Sequence, residues 1–260
     1  MIKRIKLIIL AVAASVGLSN CIDVHQVVNV KKDGSGTIEE TMTISMPPEL
    51  AALGGGQDPV AEMLKNNPHK KRAGKMGEGV EFVSSKAFEG ENGAQGIKTI
   101  FKFSDISKVK LSGDAGMSAM NPDPTAQAEE KKDEELIKFA FEKGDTSKLT
   151  LKMPPMTGTD APDQEVDLQQ FAMVSQFMKG MRLRVTIKPE GEITKTDATY
   201  SDSESITLVD MQMDKVMKDY ETFKAFSQLS KEKDREVIGA KIKEFGLKGE
   251  SKEEITIEFK

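Results

Sequence analysis

The chain has 260 residues, 30% of them charged, with a formal net charge of −5, fifteen Met, two Tyr, no Trp and a single Cys. That length is enough to bury a sizeable core in one large domain or two small ones. The mild acidity argues against nucleic acid as a partner, the scarcity of aromatic faces argues against sugar- or base-stacking platforms, and one cysteine excludes a disulfide framework.

The first residues read MIKRIKLIILAVAASVGLSNC. Lys3, Arg4 and Lys6 form a basic start and Leu7 to Gly17 an apolar, small-residue run, too short and one-sided for a comfortable membrane span; this is the layout of a secretory signal. Its end, Leu18-Ser19-Asn20-Cys21, resembles the lipobox of bacterial lipoproteins, although Asn20 stands where most lipoboxes carry Gly, Ala or Ser. The resemblance implies that residues 1–20 are a lipoprotein signal peptide and that Cys21 is acylated on sulfur and becomes the mature N-terminus. Cleavage after Gly17, leaving a free thiol, and an uncleaved signal anchor are the alternatives. Acylation has the stronger physical logic, because one acyl chain holds a protein only marginally on a bilayer whereas two or three hold it stably. Loss of the three leader cations takes the net charge from −5 to −8. Beyond Cys21 no apolar stretch approaches 20 residues, so a water-soluble body is expected.

Val24, Gln26, Val28 and Val30 alternate with polar neighbours, KKDGSG turns the chain, and Ile38, Glu40, Met42 and Ile44 alternate again, which predicts a hairpin across Asp33-Gly34. It starts beside Cys21 with no Ser/Gly-rich stalk, so the body should be held close to the membrane. Pro47-Pro48 and Gly54–Gly56 break the chain, and Asp58-Pro59 can start a short helix through Met63 and Leu64. Val80, Phe82, Ile97 and Phe101 to Phe103 predict a second hairpin. Residues 112–135, poor in large apolar side chains, predict a mobile surface loop.

A third hairpin is expected across Gly144-Asp145. Leu168, Phe171, Val174, Phe177 and Met178 then mark a helix that ends before Gly180. MRLRVTIK places Met181, Leu183, Val185 and Ile187 on one face and Arg182, Arg184 and Lys188 on the other, the pattern of a sheet wet on one side. After the turn at Pro189-Glu190-Gly191 come EITKTDATY and ITLVDMQM, then helix from about Asp214 to Phe245 with a break near Ser230. Gly246-Leu247 is a helix stop, and Ile255, Ile257 and Phe259 pattern a last strand.

Hairpins interrupted by helical blocks predict an α+β fold: a largely antiparallel sheet built from hairpins with a few packed helices, as a single domain over 21–260. A lipobox-like cysteine running into a DGSG hairpin, then FKFSDI, then MRLRVTIKPEGEITKTDATY, resembles the LppM-like group of bacterial envelope lipoproteins. The likeness covers about a third of the chain, with motifs of low specificity. It implies an α+β domain suspected of binding lipid. Members of that group can carry a C-terminal transmembrane helix, for which this sequence has no counterpart.

His25 and His69 are isolated, so neither a metal site nor a cofactor is expected. The Ser-x-x-Lys matches at Ser107–Lys110 and Ser230–Lys233 lack the KTG partner of penicillin-recognising enzymes, and the carboxylates fall on exposed faces and loops; no enzyme is expected. Lys70, Lys71, Arg72 and Lys75 in PHKKRAGK are a candidate membrane foot, each cation contributing about 1 kcal/mol at an anionic surface, or simply a solvated loop. Met173, Met178, Met213 and Met217 are a candidate apolar groove, or ordinary core.

The sequence-level expectation is therefore a non-catalytic, lipid-anchored envelope protein acting as a lipid-binding or membrane-surface module. The alternative is a structural or adhesive surface lipoprotein that binds other proteins. Its partners would be the membrane through Cys21 and either a lipid or an envelope protein, with no nucleic acid. Its place would be the outer membrane or a periplasm-facing surface of a diderm bacterium.

Overall fold

The computed structural model describes residues 21–45, 60–61, 64, 69–90, 94–112, 136–155 and 167–260. The signal peptide expected over 1–20, most of the helix expected to end at Leu64 and the loop expected over 112–135, apart from Ser112, lie outside the described residues.

The first hairpin forms as its alternation requires. β1 (Cys21–Val30) and β2 (Gly36–Ser45) pair antiparallel from Cys21↔Ser45 to Val30↔Gly36. Gly34 takes φ +85° in the turn, which few side-chain-bearing residues tolerate. Asp33 accepts from the Ser35 backbone N–H at 2.9 Å and the Ser35 hydroxyl at 2.7 Å, and these bonds hold its carboxyl below the ordinary carboxylate pKa. Gly36 is needed for another reason: a Cβ there would run into the Asn29 carbonyl and the Phe103 ring.

β3 (Glu81–Glu89) and β4 (Gln95–Phe103) form the second hairpin, and β4 extends the sheet by pairing with β2. On the other side of β1 lies β8 (Arg182–Pro189), parallel to it in the register Asp23↔Arg182 to Val30↔Pro189. β10 (Ile206–Gln212) pairs antiparallel with β8, and the short β11 (Lys248–Gly249) closes that side. Among the described residues this sheet has seven strands in the order β11-β10-β8-β1-β2-β4-β3.

A second sheet runs β5 (Lys110–Ser112), β6 (Leu136–Glu142), β7 (Ser147–Lys152), β12 (Glu254–Phe259) and β9 (Ile193–Thr196), with all its neighbours antiparallel. The chain passes between the sheets at the predicted Pro189-Glu190-Gly191 turn. There Glu190 N–H donates to Val30 O at 2.7 Å, while Glu192 and Lys260 exchange backbone hydrogen bonds. β8 and β9 are thus consecutive without pairing. The fold is α+β and mostly antiparallel as expected, with the β1–β8 pair as a parallel exception.

Alternation puts Val24, Val28, Val185 and Ile187 of the large sheet and Leu149, Leu151, Ile255 and Ile257 of the small sheet into one apolar core. Truncating such fully buried aliphatic residues typically costs about 2–5 kcal/mol each. The helices in the second half make a separate cluster. α2 (Leu168–Met178) precedes β8, and α3 (Met213–Val216), α4 (Tyr220–Ser227) and α5 (Arg235–Glu244) link β10 to β11. Asp167 and Gln170 form a reciprocal capping box at the start of α2. Gly246 at φ +71° ends α5, with Leu247 N–H reaching back to Ile242 O at 3.1 Å. Earlier in the chain, α1 (His69–Lys75) stands beside β3.

Candidate functional site

β1 starts at Cys21 and is a central strand, flanked by β2 and β8. The end of the large sheet at which it begins carries Ser45 of β2, Gln95 of β4, Arg182 of β8 and Gln212 of β10, all fixed by register. Two connections meet there. α2 leads into β8 and α3 follows β10, and they are tied by Met213 N–H to Met181 O at 2.9 Å and by Gly180 N–H to the Asp214 carboxylate at 2.8 Å.

Just inside this end, a charged network crosses the outward face of three strands. Arg182 donates Nε and Nη2 to the two carboxylate oxygens of Asp210, both at 2.8 Å, and Arg184 donates Nη2 to Asp23 at 2.9 and 3.0 Å. The Arg182 hydrogen bond is the main reason the Asp210 carboxyl sits below its ordinary pKa. His25 Nε2 lies 3.0 Å from Thr186 Oγ1; burial and then the positive charge of Arg184 lower its pKa. The bidentate Arg182–Asp210 contact is the geometry in which surface ion pairs hold best. The network therefore ties β1 to β8 and β8 to β10.

Arg72, one of the four residues of the candidate basic foot, has its contact away from this end. Arg72 donates to Glu40 Oε1 at 2.6 Å and its guanidinium lies over the Phe101 ring, 5.7 Å from the centroid. Glu40 also accepts from Gln26 Nε2 at 3.0 Å, so Arg72 completes a buried polar group of the core. Glu40 is five residues from Ser45 along β2, which puts this contact roughly 17 Å from the Cys21 end at ~3.4 Å per residue. Arg72 is committed inward because an unpaired carboxylate at Glu40 would be costly. Lys75 is exposed at the last turn of α1; the side chains of Lys70 and Lys71 lie outside the described set.

Three of the four candidate groove methionines come together. Met217 is buried, and Met178 and Met213 pack against the same cluster with Val216, Ile238 and Ile242. Aromatic rings occupy the rest: Phe171 packs on Phe223 and Phe226 on Phe245, with centroids 5.4 and 5.6 Å apart. These thioethers fill a core. Met173 lies apart from them, 71% exposed on α2. An open cleft of about 610 Å³ lies at the opposite end of β1 and β8, lined by polar residues including Asn29, Lys31, Glu190 and Glu204, and none of the four methionines borders it.

The buried carboxylate Glu250 accepts from Thr199 N–H and Oγ1, both at 2.7 Å, and from Lys252 N–H at 3.0 Å. Like Glu40, it is occupied by structural partners. Among the described residues no group of three or more His, Cys, Asp or Glu is placed to hold a metal ion, and no helix is long and apolar enough to cross a membrane.

Sequence reading passed over the water-facing side of α2, where Leu168 and Val174 are exposed together with Met173. The signal was legible: Leu168–Met178 contains no Asp, Glu, Lys or Arg, in a chain that is 30% charged.

No family model matches the chain, and no curated protein matches it. Among solved structures it is similar to the folded domain of the LppM protein of Mycobacterium tuberculosis, determined by NMR, at 10% identity over 76% of this chain and 86% of that one, with a TM-score of 0.26. A superposition that loose supports no functional inference.

Proposed function

We propose that the chain is a lipid-anchored envelope protein, non-catalytic, whose body sits on the bilayer surface by the Cys21 end of its large sheet. One observation carries the reading: the lipobox-like cysteine is itself the first residue of a central strand. Acyl chains on Cys21 would act on the sheet with no flexible tether between them. The Arg184–Asp23 contact two residues further on would carry the load into β8.

The test is intact-mass analysis of the membrane fraction, which should show acyl chains on an N-terminal Cys21, together with a Cys21→Ala variant, which should leave the membrane. Wild-type protein recovered in the soluble fraction with a free Cys21 thiol would sink the proposal. Within this frame, a membrane-surface module is favoured over a carrier that encloses an acyl chain, because Phe171, Phe223, Phe226 and Phe245 already fill the space beside Met178, Met213 and Met217. The same filled cluster favours, as a second reading, a surface lipoprotein that binds another protein. Co-purifying lipid in native mass spectrometry would reverse that order.

A further inference from the structure

The described residues expose six large apolar side chains: Val83, Phe88, Leu168, Met173, Val174 and Val237. Three of them are on α2, the helix that feeds β8 at the Cys21 end. Phe88 is at that end too, because Glu89 pairs with Gln95 and Gln95 with Ile44, next to Ser45.

α2 turns Phe171 and Met178 into the helical cluster and leaves Leu168 65%, Met173 71% and Val174 37% exposed. A helix surface facing water ordinarily carries charges. This one has none between Asp167 and Lys179; its polar residues are Gln169, Gln170, Ser175 and Gln176. Neutral polar side chains beside exposed Leu, Met and Val suit the boundary between lipid headgroups and acyl chains, where the apolar groups leave water and the amides stay solvated.

Position selects the bilayer as the occupant. β1 and β8 run parallel from the same end, with Cys21 two residues and Met178 four residues ahead of the Asp23↔Arg182 pair. With adjacent strands about 4.8 Å apart, the acyl-bearing residue and the end of α2 lie within roughly 20 Å of each other. An anchor on Cys21 therefore brings the membrane to the side of α2 without any intervening stalk.

We infer that α2 is a second, non-covalent membrane contact: it lies in the headgroup–acyl boundary of the bilayer that holds Cys21, with Met173 and Val174 inserted, and so sets the orientation of the body. This rests on the lipid-anchored reading. With two contacts the open cleft at the opposite end of β1 is presented away from the membrane.

The sole native cysteine makes the test direct, since an acylated Cys21 leaves an introduced cysteine as the only reactive thiol. The full chain carrying Met173→Cys, and separately Val83→Cys as the control on β3, is labelled with an environment-sensitive fluorophore. It is then reconstituted into phosphatidylethanolamine–phosphatidylglycerol vesicles whose acyl chains are brominated. Both positions are exposed, so neither substitution disturbs the core; Leu168→Cys reports on the same helix should Met173→Cys misfold. The expected result is quenching of the Met173 label by the brominated chains and loss of its access to an aqueous quencher that still reaches the Val83 label.

If wild-type Cys21 reacts with the thiol reagent, the anchored reading and this inference fall together. If Cys21 is blocked and the Met173 label is quenched from water as readily as the Val83 label, the inference alone falls. A label shielded from both quenchers would show a protein, or a second copy of the chain, covering α2, and would equally overturn it.

Discussion

Replacing Ile257 by Ala probes the element that ties the end of the sequence into the fold. β12 lies between β7 and β9, with Ile257 opposite Leu149 on one side and Thr196 on the other. Ile255, Ile257 and Phe259 are each 0% exposed. Truncating three such residues costs about 2–5 kcal/mol each, a total comparable with the 5–15 kcal/mol that stabilises a typical native protein. Deleting 255–260 should therefore prevent folding, and a single truncation is the informative version. Ile257→Ala should cost about 3–4 kcal/mol and lower Tm by about 10 °C, while Ile257→Val should cost about 1 kcal/mol. Thermal and urea melts of the Cys21→Ser form, followed by circular dichroism, would measure both. Glu258→Gln, on the opposite side of the strand in an exposed pair with Lys195, should move Tm by less than about 2 °C. An Ile257→Ala shift below about 3 °C would refute the reasoning, because it would mean that the strand is peripheral to the core.

Glu40→Ala should cost about 3 kcal/mol by leaving the Arg72 guanidinium and the buried Gln26 amide without their acceptor, whereas the triple change Glu40→Leu with Arg72→Met and Gln26→Leu should recover most of the loss; urea midpoints that fail to improve in the triple variant would count against a buried polar group. Stability should also fall with acid in two stages. The folded-state pKa of His25 is lowered, so the unfolded chain binds more protons, and stability drops as pH falls through the unfolded histidine value near 6.5 toward the folded one. His25→Gln should flatten that part of a Tm-against-pH curve, and an unchanged slope would remove His25 as its cause. The Asp210 carboxyl is also lowered, by Arg182, so its stabilisation is present above the ordinary carboxylate range and is lost as pH falls through its folded value; Asp210→Asn should shrink that second stage without removing it, because Asp33, Asp202 and Asp219 are lowered too.

Local pattern was enough for most of the elements, but the PHKKRAGK stretch expected as a loop or foot forms the helix α1, and the short β5 and β11 carry no pattern of their own. Alternation in Val24–Val30 and Ile38–Ile44 with Asp33-Gly34 between them specifies a hairpin, because a period of two and a positive-φ turn leave few other conformations. The same holds for the capped helix Leu168–Met178, the wet-sided strand Arg182–Pro189 and the buried face of β12. Alternation says which side of a strand is buried and nothing about which strand lies beside it. Only the tertiary structure could place β8 parallel to β1, join Arg184 to Asp23 across 161 residues, and send β9 to the other sheet after three turn residues.

The candidate sites divide in the same way. The expectation for Cys21 rests on its neighbours in sequence, which carry the lipobox resemblance, whereas the surroundings of Arg72 and the methionines depend on chain far away. Arg72 turns inward because Glu40 and Phe101, distant in sequence, meet it there. Met217 is core and Met173 is surface because α2 can bury only the side that meets Phe223 and its neighbours, and composition is blind to that choice. Short-range sterics act on residues a few positions apart and can be read along the chain. Burial is decided only when segments that are far apart in sequence close on one core, and no local pattern contains that closure.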